Sequence, residues 1–188
     1  MSACTLDEFQ FFIWDFDGTL FCLDVDWQGL RQRLQDMLQG HPDVPTSTAT
    51  IDGLLAAARR AGMQEAVYAA ITDAELAGLA DWQAGFRSGP TAHLAQRAHA
   101  SAIVSNNMSG TIEAFLRSVG LPQIPFRTRD LVIRPKPAQD GLDDLRSLWE
   151  GRPTVVIGDS EIDARLAADA GLHFIHVDDL DGLSCASS

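Results

Sequence analysis

The sequence predicts an α/β fold, a parallel sheet flanked by helices with an α-helical cap inserted after the first strand. Apolar runs of strand length, unbroken rather than alternating, are the first observation; Phe11-Phe12-Ile13-Trp14 and Thr154-Val155-Val156-Ile157 both read this way. Continuous runs belong to strands buried on both faces, the habit of parallel sheets. The second observation is how they end: the first runs into Asp15 and Asp17, the other into Gly158 and Asp159. Ligand sites of open α/β sheets lie beyond the carboxyl ends of such strands. The third is a helical block of roughly 65 residues between the first strand and its next partner, too long for an ordinary crossover.

Composition narrows the classes of function. A chain of 188 residues with 46% apolar content can bury a core and suits one domain with a modest insertion. No apolar run has the length of a bilayer span, and Asp7 and Glu8 near the start do not suit a signal peptide, so a cytoplasmic protein is expected. Cys4, Cys22 and Cys185 form no Cys-x-x-Cys pair, which points to reduced thiols rather than a disulfide framework or a zinc site. A formal net charge of −12 argues against nucleic acid, whose backbone demands a basic surface, and neither a membrane nor a particular oligomeric state is indicated. A small anionic substrate remains compatible, given locally placed cations. Lys136 is the single lysine against thirteen arginines, and a compact point charge aimed at a phosphoryl oxygen would account for it, as would chance.

Taken in order, residues 9–14 form the first strand, and residues 21–26 read as a flap leading into the insertion. Cys22 within it suits a small apolar packing role. Trp27, Leu30, Leu34, Met37 and Leu38 are spaced three and four apart behind Asp26 as N-cap, which predicts a helix. Residues 41–46 break it, and a second helix runs over 51–61 and stops at Gly62. A third helix is expected over 64–70. A fourth would begin at the capping box Thr72-x-x-Glu75 and continue through Leu76, Leu79, Trp82 and Phe86 until Gly89-Pro90 closes the segment. Arg31, Arg33, Arg59, Arg60 and Arg87 are the cations of this block.

The remainder alternates. A core helix over 91–98 precedes the strand Ala102-Ile103-Val104, which ends in Ser105-Asn106-Asn107. A helix over 110–119 stops at Gly120, Phe126 suits a short strand, and residues 138–148 form a helix behind Arg134-Pro135-Lys136-Pro137. The prolines restrict the backbone on both sides of Lys136, a rigid mount for a charge. After Asp159 a helix carries Glu161, Asp163 and the run to Gly171, and a last strand over 173–177 is flanked by His173 and His176, read as structural. No role is assigned to Arg127, Arg129 and Arg134, nor to the tail over 178–188.

Two carboxylates at i and i+2 followed by glycine, as in Asp15-Phe16-Asp17-Gly18-Thr19-Leu20, repel each other, so a cation or a shared proton must lie between them. Both conditions suit phosphoryl transfer, whereas a solvated turn capping a strand is the plainer reading of the same residues. This stretch resembles the first motif of the haloacid dehalogenase superfamily, Asp-x-Asp-Gly-Thr-Leu. Ser105 matches the second motif, a hydroxyl at a strand end; Lys136 before a proline matches the third; Gly158-Asp159-x-x-x-Asp163 followed by Ala167-Ala168-Asp169-Ala170-Gly171 resembles the fourth. The four occur in the family's order across nearly the whole chain.

The resemblance implies a Rossmann-like three-layer core over 1–21 and 89–188, with the helical cap over 22–88. It also implies a phosphoglycolate phosphatase-like branch and a phosphoric monoester hydrolase acting on a small phosphorylated metabolite, phosphoglycolate-like or a sugar phosphate. The roles it implies are Asp15 as nucleophile, Asp17 as general acid and base, and Lys136 with Ser105, Asn106 and Thr19 on the phosphoryl oxygens. Mg²⁺ would be held by Asp15, the Asp17 backbone carbonyl, Asp159 and Asp163, hard oxygen donors that suit the ion. Unit charges 4 Å apart interact by about 4 kcal/mol at an effective dielectric of 20, so a dianionic phosphate among these carboxylates requires counter-charge. Asp17 points to phosphate esters rather than to the dehalogenase and phosphonatase branches. A sugar phosphomutase keeps the same residues, and a phospho-accepting signalling domain combines similar ones in a different order.

Overall fold

In the computed structural model, which describes residues 6–41 and 50–182, five strands form one parallel sheet. They are β1 (Phe11–Trp14), β2 (Ser101–Val104), β3 (Phe126–Arg127), β4 (Thr154–Gly158) and β5 (His173–His176), in the order β3-β2-β1-β4-β5. The chain moves outward from β1 to β3 and then returns to the other side of β1, so the strand order reverses between β1 and β4. A crevice opens at such a reversal, beyond the carboxyl ends of the two strands. Register places Trp14 beside Ile157, so Asp15 and Asp159 leave the sheet as near neighbours.

Strand periodicity builds the layers, because successive side chains point to opposite faces. Phe12, Trp14, Ile103, Val155 and Ile157 enter one cluster with Leu94, Ile112, Phe115 and Leu116, which come from α5 (Ser88–Gln96) and α6 (Ser109–Ser118). Phe11, Ile13, Ala102, Val104 and Val156 enter the other with Leu142, Trp149 and Leu166, from α7 (Asp140–Asp144), α8 (Arg146–Trp149) and α9 (Glu161–Ala170). The result is the three-layer α/β arrangement that the unbroken apolar runs predict. The Trp14 indole, fully buried, donates to the Ser101 hydroxyl and so satisfies its one polar atom.

Between β1 and α5 lie α1 (Trp27–Met37), α2 (Ile51–Ala61), α3 (Gln64–Leu79) and the single turn α4 (Trp82–Gly85). The first three bury Leu30, Leu34, Leu54, Val67 and Ile71 in a cluster of their own, which Met108 joins from the core. The caps of α1 and α2 are those expected: Asp26 accepts from the Gly29 N–H, and Gly62 ends α2 with φ 70°. The expected break over 41–46 lies almost wholly outside the described residues, as do Cys4 and Cys185.

Four expectations need correction. The segment over 64–79 is one helix, not two, and the Thr72 capping box does not form: Thr72 Oγ1 donates to the Tyr68 carbonyl a turn back, while Glu75 leaves the helix for α6. Gly89 and Pro90 do not close the helical block but sit in the first turn of α5, where a proline lacks no needed N–H. The helix expected over 138–148 is split into α7 and α8 at Leu145. Cys22 is exposed rather than packed, because the buried aromatic of the flap is its neighbour Phe21, which bridges to Asp17 and Phe86.

Candidate active site

Each carboxyl strand end delivers one part of the site. Asp15 follows β1 directly; its amide donates to the Ile157 carbonyl of β4 at 2.8 Å, which fixes its height above the sheet. The chain then turns at Gly18, whose φ of 83° lies in the left-handed region. A Cβ there would meet the Asp159 carboxylate at 2.1 Å, so glycine is what lets the ends of β1 and β4 converge. Gly158 leaves room for the helix that follows β4: a side chain on it would meet Asp163 at 2.5 Å. Asp17, just before the turn, accepts from the Leu23 N–H at 2.8 Å, which holds its carboxyl outside the cluster that Asp15 joins.

Lys136 is the centre of the charge network. Its Nζ donates to Asp15 Oδ1 and to Asp163 Oδ1, each at 2.5 Å, and all three residues are buried. The segment before α7 brings it there, with a cis Lys136–Pro137 peptide and with the Lys136 carbonyl accepting from Asn106 Nδ2 at 3.1 Å. Asp163 is fixed in turn by a reciprocal cap at the start of α9, where Ser160 Oγ donates to Asp163 Oδ2 at 2.6 Å. Sequence inspection read Asp163 as part of a motif; its second role, as the residue closing its own helix, emerges only with the fold.

Burial pushes the Asp15 carboxyl up to about 7; the Lys136 charge opposes this and that of Asp163 adds to it. Asp17 and Asp159 are likewise raised, first by burial, with Asp159 acting on Asp17 and Asp163 on Asp159. Burial alone would lower Lys136, but Asp15 and Asp163 together outweigh it and hold the ammonium above its ordinary value.

Carboxylate oxygens of Asp15, Asp159 and Asp163 all lie within 4.8 Å of one another. When all three carboxylates are ionised, one ammonium against them leaves two negative charges in the cluster, the balance a divalent cation supplies. The donor set is oxygen alone, the choice of a hard ion such as Mg²⁺. These residues therefore fit a metal. The Asp17 side chain stands outside this triad.

A cavity of about 330 Å³ opens over the cluster, with Asp15, Asp17, Lys136 and Asp159 in its wall and Trp27, Arg31 and Ile51 facing them from the helical insertion. That volume is at the small end for ligand sites. Of the residues singled out from sequence, Asn106 lines the cavity, whereas Ser105 and Thr19 lie beneath its surface. The Ser105 hydroxyl donates to Asn107 Oδ1 at 2.7 Å, and Asn107 itself reaches the wall. Thr19 is fully buried, its hydroxyl without a partner among the described residues. Asn107, Ser160, Arg129 and Arg31 were not assigned to the site from sequence. Asn107 adjoins a matched position and Ser160 lies within a matched motif; Arg31 is one of five insertion cations open to a substrate anion, and Arg129 carries no local signal. His176 supports the site from β5, its ring Nε2 lying 3.0 Å from the Asp159 carbonyl.

Arg87, counted from sequence among the cap cations, instead closes the base of the insertion. Its guanidinium donates to the Gly18 carbonyl and pairs with Asp178 at 2.5 Å.

No protein-family model matches the sequence, and none of the curated proteins compared does. Solved structures are similar over most of their length. A HAD-superfamily hydrolase of subfamily IA from Geobacter sulfurreducens is 22% identical, with 89% of each chain covered and a TM-score of 0.57. CbbY from Rhodobacter sphaeroides, solved in complex with phosphate, is 20% identical over 89% of this chain and 85% of its own, with a TM-score of 0.56. YfnB from Bacillus subtilis, provisionally a HAD hydrolase and bound to magnesium, is 18% identical over 89% and 87%, with a TM-score of 0.50. The fold of this chain is that of haloacid dehalogenase superfamily hydrolases.

Proposed function

We propose that the chain is a Mg²⁺-dependent phosphatase that hydrolyses a small phosphorylated metabolite through an aspartyl-phosphate, with residues 22–88 as a cap over the site. The observation that carries this reading is the Asp15–Lys136–Asp163 network at the carboxyl end of β1, with Asp159 within 4.8 Å of both acids and Asp17 held apart from them. The fold, and the phosphate and magnesium found in two proteins of similar structure, support it.

The chemistry follows from the charges. Asp15 is the nucleophile, and its carboxylate forms a bond to phosphorus as the ester P–O bond breaks. Burial favours the protonated acid, so the attacking carboxylate form depends on cations beside it. Lys136 is one, and it also stabilises the charge that develops on the phosphoryl oxygens. Asp17, raised above the usual carboxylate range, supplies a proton to the leaving oxygen and then accepts one from the water that opens the aspartyl-phosphate. Asp15, Asp159, Asp163 and the Asp17 carbonyl would hold Mg²⁺, which when bound supplies counter-charge to the phosphoryl group. Asn106, in the cavity wall, is the neutral donor toward the same oxygens, and Ser105 beneath that wall fixes Asn107 beside it. The cap excludes water while the reaction proceeds.

The test is phosphate release from p-nitrophenyl phosphate and a panel of phosphorylated metabolites, with Mg²⁺ or EDTA, for the native chain and Asp15→Asn. Turnover that requires both the metal and Asp15 is expected. Turnover that survives Asp15→Asn, or silence across the panel with Mg²⁺ present, refutes the reading.

A further inference from the structure

Arg129 is a largely buried cation that the chemistry above does not use. It follows β3, the edge strand, and its side chain is only 11% exposed. Its Nε is buried without a hydrogen-bond partner among the described residues. The guanidinium is within ion-pair distance of Asp52 of α2, at 3.5 Å, beyond the 2.7–2.9 Å of a charge-assisted hydrogen bond, and Asp52 is half exposed; the Arg129 charge also acts on the buried Glu75, with no hydrogen bond between them. A guanidinium nitrogen buried without a partner is costly unless something else takes its hydrogen bond.

Arg129 lines the cavity over Asp15, and Arg31 lines it from α1. Arg31 has no ion pair among the described residues. The acids in the same wall are committed elsewhere: Asp15 to Lys136, Asp17 to the Leu23 amide, Asp159 to the carboxylate cluster. Two arginines thus face a small cavity with no acid of its wall in ion-pair contact with them. Arg129 does not stand over the attacking oxygen. β3 stands two places from β1 in the sheet, on the side away from Asp159, and two strand spacings are about 10 Å.

We propose that Arg129 and Arg31 bind a second anionic group on the substrate, a carboxylate or a second phosphate a few bonds from the transferred phosphoryl group. This rests on the phosphatase reading and narrows it: the substrate is charged at both ends, and Arg129 selects it. A neutral-ended phosphate ester would enter the cavity and leave the Arg129 Nε without a hydrogen-bond partner. The planar fork of arginine suits either acid, by two parallel hydrogen bonds.

Two matched pairs test this: 3-phosphoglycerate against glycerol 3-phosphate for a carboxylate, and propane-1,3-diyl bisphosphate against 3-hydroxypropyl phosphate for a second phosphate. Binding is measured calorimetrically with Mg²⁺ on the native chain and on Asp15→Asn, and turnover on the native chain. The doubly charged member of at least one pair is expected to bind about ten- to hundred-fold tighter, the worth of a hydrogen-bonded charge, and the pair that shows it names the group. That ratio falls toward one in Arg129→Gln and in Arg31→Gln, and Arg129→Lys recovers part of it. A ratio near one in the native chain for both pairs, one that survives both substitutions, or no binding at all overturns the proposal. Preferential binding without turnover of any ester removes the phosphatase reading and leaves the anion site standing.

Discussion

Glu75 offers a sharp quantitative test of the packing between the helical insertion and the core. It is 1% exposed on α3, and its Oε2 accepts from the Met108 N–H and the Thr111 hydroxyl of α6, both at 2.8 Å, while Oε1 has no partner among the described residues. Burial raises its carboxyl from 4.5 to about 7, against the opposing pull of the Met108 N–H, the Thr111 and Asn107 side chains and the Arg129 charge. A shift of roughly 2.5 units at about 1.4 kcal/mol each is about 3 kcal/mol in all. Its sign follows from linkage. The folded state holds this proton more tightly than the unfolded state, so the stabilisation is full below pH 4.5 and is lost as pH rises through 7. Glu75→Gln keeps one acceptor for Met108 and Thr111 but cannot ionise. Urea unfolding of both proteins from pH 5.5 to 8.5 should therefore show the variant gaining about 2 kcal/mol on the native chain across that range, whatever constant offset the new amide introduces. Parallel pH profiles would refute the argument, and a gap opening on the acid side instead would mean that the α6 N-terminus, not burial, governs Glu75.

Three further outcomes are expected. Lys136→Met leaves Asp15 and Asp163 buried without their cation and should cost about 3 kcal/mol or more at pH 8 in denaturant unfolding, less at acid pH where the acids can take up protons; an unchanged midpoint at pH 8 would contradict the network. Gly18→Ala places a Cβ against Asp159 at a positive φ, so titration calorimetry should show Mg²⁺ affinity falling about ten- to hundred-fold, with unchanged affinity counting against the proposed convergence of β1 and β4. Thermal unfolding should shift upward with added Mg²⁺ and return with EDTA, by about 2.7 kcal/mol at a hundredfold excess over the dissociation constant, whereas Asp159→Ala with Asp163→Ala should abolish the shift.

What the sequence determined by itself is whatever depends on near neighbours along the chain. An unbroken apolar run followed by an acid marks a buried strand and its polar end, so β1, β2 and β4 and the positions of Asp15, Ser105 and Asp159 were legible, as were the caps at Asp26, Gly62 and Gly171. Tertiary structure decided the cases where a side chain chose a distant partner over a local one. Glu75 forgoes a capping box in its own helix because α6 offers an unsatisfied N–H and a hydroxyl in a buried interface, and α3 therefore runs on unbroken. The Ser105 hydroxyl faces Asn107 below the cavity wall, and Asp163 is shared between Lys136 and its own helix cap. Arg129 carried no signal at all among thirteen arginines, since what sets it apart is not its neighbours in sequence but a wall of the cavity and a guanidinium edge that water does not reach.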